Sequence, residues 1–288
     1  MSRETARGIL IPVGGNEDKG NVYEDETFTT EFVEQGILYH VVKHAGGPKA
    51  NIVVVPTASG IPDHVSQTYI DTFALLGCEN VHVLNARTKK DAEQAKAIRL
   101  IEEADCVMFS GGDQSRITRT FVGTEIHNIL LERYENENFV IAGTSAGAMC
   151  MSHEMIAGGS NPDSFRKGTV KMSTGMGFLP KLIIDSHFIL RGRFGRLTEA
   201  VAKFPELIGI GLAEDTGLVI QNNEFQVIGS GMAIIFDGRQ LRHNNEPILE
   251  EGTPMSITNM VTHVLSNSDM FKINSGEVKI LPIDADFV

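Results

Sequence analysis

Phe139-Val140-Ile141-Ala142-Gly143-Thr144-Ser145-Ala146-Gly147-Ala148 decides how the rest of the chain is read. The apolar run Phe139-Val140-Ile141 predicts a buried strand, the small residues after it a very tight turn, and the residues beyond a helix start. A serine at such a turn projects its hydroxyl past the strand end, clear of its own backbone. Small residues on both sides let strand, turn and helix pack closely. The helix start behind the serine adds an unsatisfied N–H and a positive dipole end where an oxyanion would form. The spacing is G-x-S-x-G, the pattern of a nucleophile elbow with Ser145 at its tip. That pattern is short, and a small-residue turn that only packs helix on sheet fits it equally. The surrounding chain has to decide.

Short apolar runs alternate with helix-like segments on both sides of this stretch. Strands are predicted at residues 8–13, 51–55, 80–84, 106–109, 139–142 and 182–185, and again at 207–212, 218–221, 225–229 and 232–236. Helices are predicted over residues 65–76, with Asp63 able to cap the first turn, over 91–104, and over most of 114–134. The alternation implies a three-layer α/β/α arrangement, a largely parallel central sheet with helices on both faces. The strand-rich last third predicts antiparallel pairing at one edge. With 288 residues and no repeat or linker, the expectation is a single domain over 1–288. Ligand sites in such sheets gather beyond the carboxyl ends of the strands. Three glycine turns fall there: Gly14-Gly15, Gly111-Gly112 and Gly143 to Gly147.

The formal net charge of −12 argues against a nucleic-acid-binding or acidic-membrane surface, so an anion site would have to be a local basic cluster. Cys78, Cys106 and Cys150 are scattered with no C-x-x-C, which excludes a disulfide scaffold or zinc ribbon and fits a reducing compartment. No signal-peptide core follows the N-terminus and no apolar run can span a bilayer, so a soluble, cytoplasmic protein is expected. No ligand set has zinc or two-metal spacing; His40 and His44 are four apart but lack a third ligand. Neither a metal nor another cofactor is expected.

Ser145 needs a base. Of nine histidines, His187 alone directly follows an apolar strand, Leu182-Ile183-Ile184-Asp185-Ser186, which puts it on the same sheet edge if the two strands are near neighbours. An orienting carboxylate would come from Asp163, in the polar loop after the elbow helix, or from Glu214, at the end of the strand Gly209 to Leu212. The residues alone leave both open. The amide of Ala146 supplies one oxyanion donor, and the glycine turn Ser110-Gly111-Gly112-Asp113-Gln114 brings Gly112 and Asp113 as further donors. Arg191, Arg193 and Arg196 crowd after His187 and suggest carboxylate or phosphate recognition. The alternative is a solvated helix face paired with Glu199 and Glu206.

Read together, these motifs resemble the cyanophycinase family of serine peptidases, a group that also contains aspartyl dipeptidase E. The matching stretches are Gly14-Gly15-Asn16-Glu17-Asp18-Lys19, Pro56-Thr57-Ala58-Ser59, Ser110 to Gln114, Gly143 to Ala148, Asp185-Ser186-His187-Phe188 with Arg191, Arg193 and Arg196, and Gly209 to Thr216. The resemblance implies a fold like the class I glutamine amidotransferases, a homodimer, and release of β-Asp-Arg dipeptides from cyanophycin, a polyaspartate with arginine on each side-chain carboxyl. It implies Ser145 as nucleophile and His187 as base, with the third member in the loop after the elbow helix, which selects Asp163 where the family typically has glutamate. Gln114, Asp185 and the three arginines match substrate-pocket positions. Ser186 stands where the family usually has glutamine, which implies altered affinity or a different polymer or dipeptide preference. Polymer α-carboxylates would meet Arg191, Arg193 or Arg196, and a substrate guanidinium would meet Asp113 or Asp185. The competing readings are an aspartyl dipeptidase and a non-catalytic binding protein on an amidotransferase-like scaffold. A true glutamine amidotransferase is disfavoured because the elbow carries serine, while Cys150 falls inside the following helix.

Overall fold

A computed structural model describes residues 6–20, 29–159 and 165–282, so Asp163 lies outside the described residues. Five short, mostly apolar runs form a parallel block: β1 (Ile9–Val13), β2 (Ile52–Val55), β3 (Val81–Val83), β4 (Cys106–Phe109) and β5 (Val140–Thr144), in the spatial order β1-β5-β4-β2-β3. Alternate residues of each strand enter different cores, as the period of two requires. Ile11, Val13, Ile52, Val54, Met108 and Ala142 pack against α1 (Ile37–His44) and α2 (Pro62–Leu75). Leu10, Val53, Val55, Val107, Phe109 and Ile141 face the opposite layer. There they meet α3 (Lys89–Ala92), α4 (Ala95–Glu102), α5 (Gln114–Phe121) and α6 (Glu125–Asn136).

The sheet is half parallel and half antiparallel. The hairpin β6 (Glu154–Gly159) and β7 (Val170–Thr174) stands apart from it. Beside β1 the sheet continues antiparallel through β10 (Thr216–Gln221), β11 (Glu224–Gly229), β16 (Met270–Lys272) and β17 (Val278–Lys279). The antiparallel edge expected from the sequence is therefore four strands wide. A second sheet, β15-β12-β9-β8, combines β8 (Leu182–Asp185), β9 (Ile208–Leu212), β12 (Met232–Asp237) and β15 (Val261–Ser266). One of its faces shares the core below the first sheet; the other is covered by α8 (Phe194–Lys203), with Leu197 and Val201 against Ile183, Ile234 and Phe236. The two-residue strands β13 (His243–Asn244) and β14 (Ile257–Thr258) pair with each other.

Four local expectations change. The stretch 114–134 is two helices, because Val122 leaves helical geometry, Gly123 takes φ 80°, and Thr124 caps a new helix by accepting from the His127 amide. The stretch 91–104 is also two, and the first begins earlier, at a capping box of Thr88 and Asp91. Pro62 opens α2, and Asp63 sits in its first turn without a side-chain capping bond. Finally, the strand before His187 is not a neighbour of β5; it belongs to the second sheet. Among the described residues no helix is long and apolar enough to cross a membrane.

Candidate active site

Ser145 sits at the turn between β5 and α7 (Ala146–Met149) with φ 50° and ψ −104°, a conformation that costs free energy for any residue with a Cβ. Its amide donates to the Val13 carbonyl at 2.8 Å, which ties the turn to the end of β1. The closeness of the turn explains its glycines. A Cβ on Gly143 would lie 2.5 Å from the Gly147 carbonyl, so neither strand nor helix could approach with a larger residue there.

His187 reaches the same place from the other sheet. Its own φ is 48°, and its amide donates to the Gly14 carbonyl at 2.8 Å. The ring lies flat against Gly15, where a Cβ would stand 2.3 Å from the ring Cε1. The chain then crosses from β9 in the second sheet to β10 in the first, and Glu214 is carried on that crossing. Glu214 Oε1 lies 3.1 Å from His187 Nδ1. Among the described residues the carboxylate at the imidazole is thus Glu214; Asp163, which the resemblance selects, lies outside them. Burial lowers the His187 pKa below its ordinary value; the Glu214 hydrogen bond opposes this, and Arg191 and Arg193 reinforce it. The imidazole is therefore neutral at pH 7, with Nε2 left over from the Glu214 contact.

One loop, residues 14–19, touches His187, Thr144 directly before Ser145 and Asp215 directly after Glu214. Gly14 O accepts from His187, and Gly15 O accepts from the Asp215 amide at 2.9 Å. The Asp18 amide donates to Asp215 Oδ1 at 3.0 Å, so the residue after Glu214 is held from two points. Glu17 is buried, yet its carboxylate is well supplied: Tyr69 OH donates to Oε1 at 2.5 Å, Thr144 Oγ1 donates to Oε2 at 2.6 Å, and Lys19 Nζ lies 3.1 Å away. Burial alone would raise the Glu17 pKa; Lys19 and the hydroxyl bonds outweigh it, and the net shift is downward. Burial and the adjacent Glu17 charge push Tyr69 well above the usual phenol value, so it stays a donor. A buried carboxylate bonded to Thr144 is bonded to the residue directly before Ser145.

These residues open on a cleft of about 370 Å³ lined by Ser145, His187, Gly111, Gly112, Glu17, Lys19, Tyr69 and Arg191, among others. Gly112, at φ 139°, lies so close to the neighbouring loop that a Cβ would fall 2.2 Å from the Ala58 carbonyl. Asp113 needs correcting as an oxyanion donor. Its amide already donates to Ala58 O at 3.1 Å, and its carboxylate accepts from the Ser115 amide at the start of α5. The Ala146 amide opens α7, where no intrahelical acceptor exists for it.

The residues expected to bind substrate divide sharply. Asp185 is fully buried and accepts from Arg196 Nε at 2.7 Å, from Arg196 Nη2, and from Arg193 Nη1 at 3.2 Å. Arg193 also donates to the Ser186 carbonyl at 2.6 Å. Asp185, Arg193 and Arg196 therefore pair with one another and are not among the residues that line the cleft. Neither Glu199 nor Glu206 is the partner of these arginines: Glu199 accepts from the Gly168 and Val170 amides, and Glu206 is exposed. Arg191 does line the cleft. Gln114 donates to the Ile156 carbonyl at 2.8 Å and is directed toward β6. Ser186 is buried, donates to Met149 Sδ, and keeps its Oγ 3.4 Å from Ser145 Oγ. Among the described residues no cluster of three His, Cys, Asp or Glu could hold a metal ion.

Residues 27–228 match the family described as Peptidase family S51. A protein named cyanophycinase from Trichormus variabilis is 35% identical, covering 94% of this chain and 87% of its own length. Another of that name from Geminocystis herdmanii is 32% identical, covering 93% of this chain and 95% of its own. Among solved structures, a peptidase from an acI-B1 Actinobacterium aligns with a TM-score of 0.59 at 20% identity, over 89% of this chain and 97% of that one. A putative peptidase E from Listeria monocytogenes aligns at 0.51 and 14% identity, over 77% and 97%. These last two likenesses concern the fold.

Proposed function

The chain belongs to peptidase family S51 and is a hydrolase, and from that premise we propose that Ser145, His187 and Glu214 form a catalytic triad that cleaves β-aspartyl-arginine linkages. The observation that carries the proposal is the contact of His187 Nδ1 with Glu214, made beside a serine at a strained strand-to-helix turn. The Ser145 hydroxyl attacks the scissile carbonyl while His187 Nε2 takes its proton. The same proton then passes to the leaving amine, and water releases the acyl group by the reverse path. Glu214 fixes the tautomer and favours the imidazolium that forms in between. The amides of Gly112 and Ala146 are our choice of oxyanion donors. In this reading the turn is a nucleophile elbow on an amidotransferase-like scaffold.

Cyanophycin fits as substrate because relatives of 31–35% identity over most of the chain carry the name cyanophycinase. The cleft also holds the right charges. Arg191 and Lys19 are cations in its wall, suited to the free carboxylate of a β-linked arginine. The family resemblance further supports a single-domain, cytoplasmic homodimer acting as an exopeptidase. Incubation with insoluble cyanophycin, with product masses recorded, tests the substrate: β-Asp-Arg is expected. Cleavage of α-aspartyl dipeptides with the polymer untouched would replace this substrate with a small dipeptide.

A further inference from the structure

Away from the cleft, a cavity of about 420 Å³ is lined by Thr57, Arg87, Thr88, Arg116, Arg119 and Thr120. We propose that it is an oxyanion-binding site, taking a ligand with two or more oxygens able to accept from guanidinium groups. Two of its three arginines meet a carboxylate at long range: Asp113 Oδ2 stands 3.8 Å from Arg116 Nε and 4.0 Å from Arg119 Nη2, while Asp91 accepts from Thr88 and the Arg87 amide. Those are long contacts, and Asp113 gives its other oxygen to the Ser115 amide. Such an excess of positive charge in a chain of net charge −12 favours an anion locally.

Two of the guanidinium groups are already held in place. Arg87 Nη1 donates to the carbonyls of Thr57 at 3.1 Å and Ser59 at 2.9 Å, and Arg116 Nη1 donates to Ser59 at 3.2 Å. A guanidinium has five N–H donors, so one nitrogen engaged in this way leaves the rest of the fork for a second partner. Side-chain ordering has largely been met before a ligand arrives. The threonine hydroxyls face protein acceptors: Thr57 donates to Ala86 O at 2.6 Å, Thr88 to Asp91 Oδ2 at 2.9 Å, and Thr120 to Arg87 O at 3.4 Å. What the wall offers a ligand is therefore donors, which selects an anion over a cation or a neutral sugar. The site is also placed to matter. The 56–59 loop gripped by Arg87 and Arg116 is the loop whose Ala58 carbonyl accepts from Asp113 and packs against Gly112. A bound anion braces the back of that turn.

The ligand's oxygens can come from a free anion or from a carboxylate carried on a peptide. Calorimetric titration with inorganic phosphate, and in parallel with an acetylated oligo-aspartate, separates the two sources at ionic strength matched with sodium chloride. The protein is first blocked at Ser145 with a fluorophosphonate, which takes the catalytic cleft out of the measurement. Saturable binding of at least one probe is expected, weakened about tenfold or more in Arg119→Ala, consistent with loss of one charge-assisted contact. Arg119 holds no loop carbonyl, so this variant should melt near the wild-type temperature in chloride. No saturable binding of either probe, or binding unchanged in both Arg119→Ala and Arg87→Ala, overturns the site.

Discussion

Two charged stretches approach Ser145 from different sheets, and their charges do different work. The segment Arg191 to Arg196 is the conspicuous one, three arginines within six residues of an acidic chain. Most of it is structural: Arg193 and Arg196 neutralise Asp185, which has no exposure to water. The loop Gly14 to Lys19, by contrast, touches the strand end before Ser145, His187 and the residue after Glu214. Sequence does not list partners: Arg193 and Arg196 turn to Asp185, while Arg191 lines the cleft.

The largest effect that tests this division is on stability. Arg196→Ala leaves Asp185 buried with half its partners gone, and removing one member of a buried pair costs about 3–5 kcal/mol. A fall of many degrees in melting temperature is expected, whereas Arg191→Ala should melt almost as the parent does. Equal losses in the two variants would break the comparison.

Next comes Glu17→Gln, which removes the charge that holds Lys19, Tyr69 and Thr144. A hydrogen bond to a charged group contributes about 1.5–3 kcal/mol, so kcat should fall roughly tenfold to a hundredfold. Glu17 acts through Thr144 on Ser145 and through Lys19 on the substrate carboxylate, so KM should rise as kcat falls. A variant with normal kcat would make the loop a packing feature only. Arg191→Ala should differ on a β-aspartyl-arginine substrate, with KM raised about tenfold for one lost charge-assisted contact and kcat retained.

The smallest effects are on pH dependence. Only the neutral imidazole can accept the serine proton, so activity is lost as pH falls through the His187 pKa. That value lies below the ordinary histidine pKa of about 6.5, so the acid limb should lie below it as well. Arg191 lowers the pKa, so Arg191→Ala should move the limb upward. Glu214 raises it, so the residual activity of Glu214→Gln should have its limb moved downward. Shifts of the same sign would contradict the assigned causes.

Much of this was readable because it is local. Strand, turn and helix start at residues 139–148 are contiguous, and so are the short apolar runs of β1, β2, β4 and β5. What sequence does not carry is long-range geometry. The sheet-edge expectation for His187 holds only if its strand neighbours β5; instead β8 lies in a second sheet, paired with β9, where Leu182 faces Ile208. The nearness of Glu214 to His187 has no local signal, because Glu214 is delivered by the crossing between sheets. Nor does sequence show that Arg193 and Arg196 turn to Asp185, which looks like any strand-end carboxylate until its burial is known. Glu17 has two sequence signals, its place just beyond the glycine turn after the first strand and its place in the matching stretch Gly14 to Lys19; neither shows its partners Tyr69 and Thr144.

If Glu214, through His187, activates Ser145, the rate of fluorophosphonate labelling reports it, with the adduct located by peptide mass. One adduct is expected, on the peptide carrying Ser145, formed at least tenfold more slowly in Glu214→Gln and at the parent rate in Asp163→Asn. An adduct elsewhere, or a rate that drops in Asp163→Asn and holds in Glu214→Gln, would contradict it.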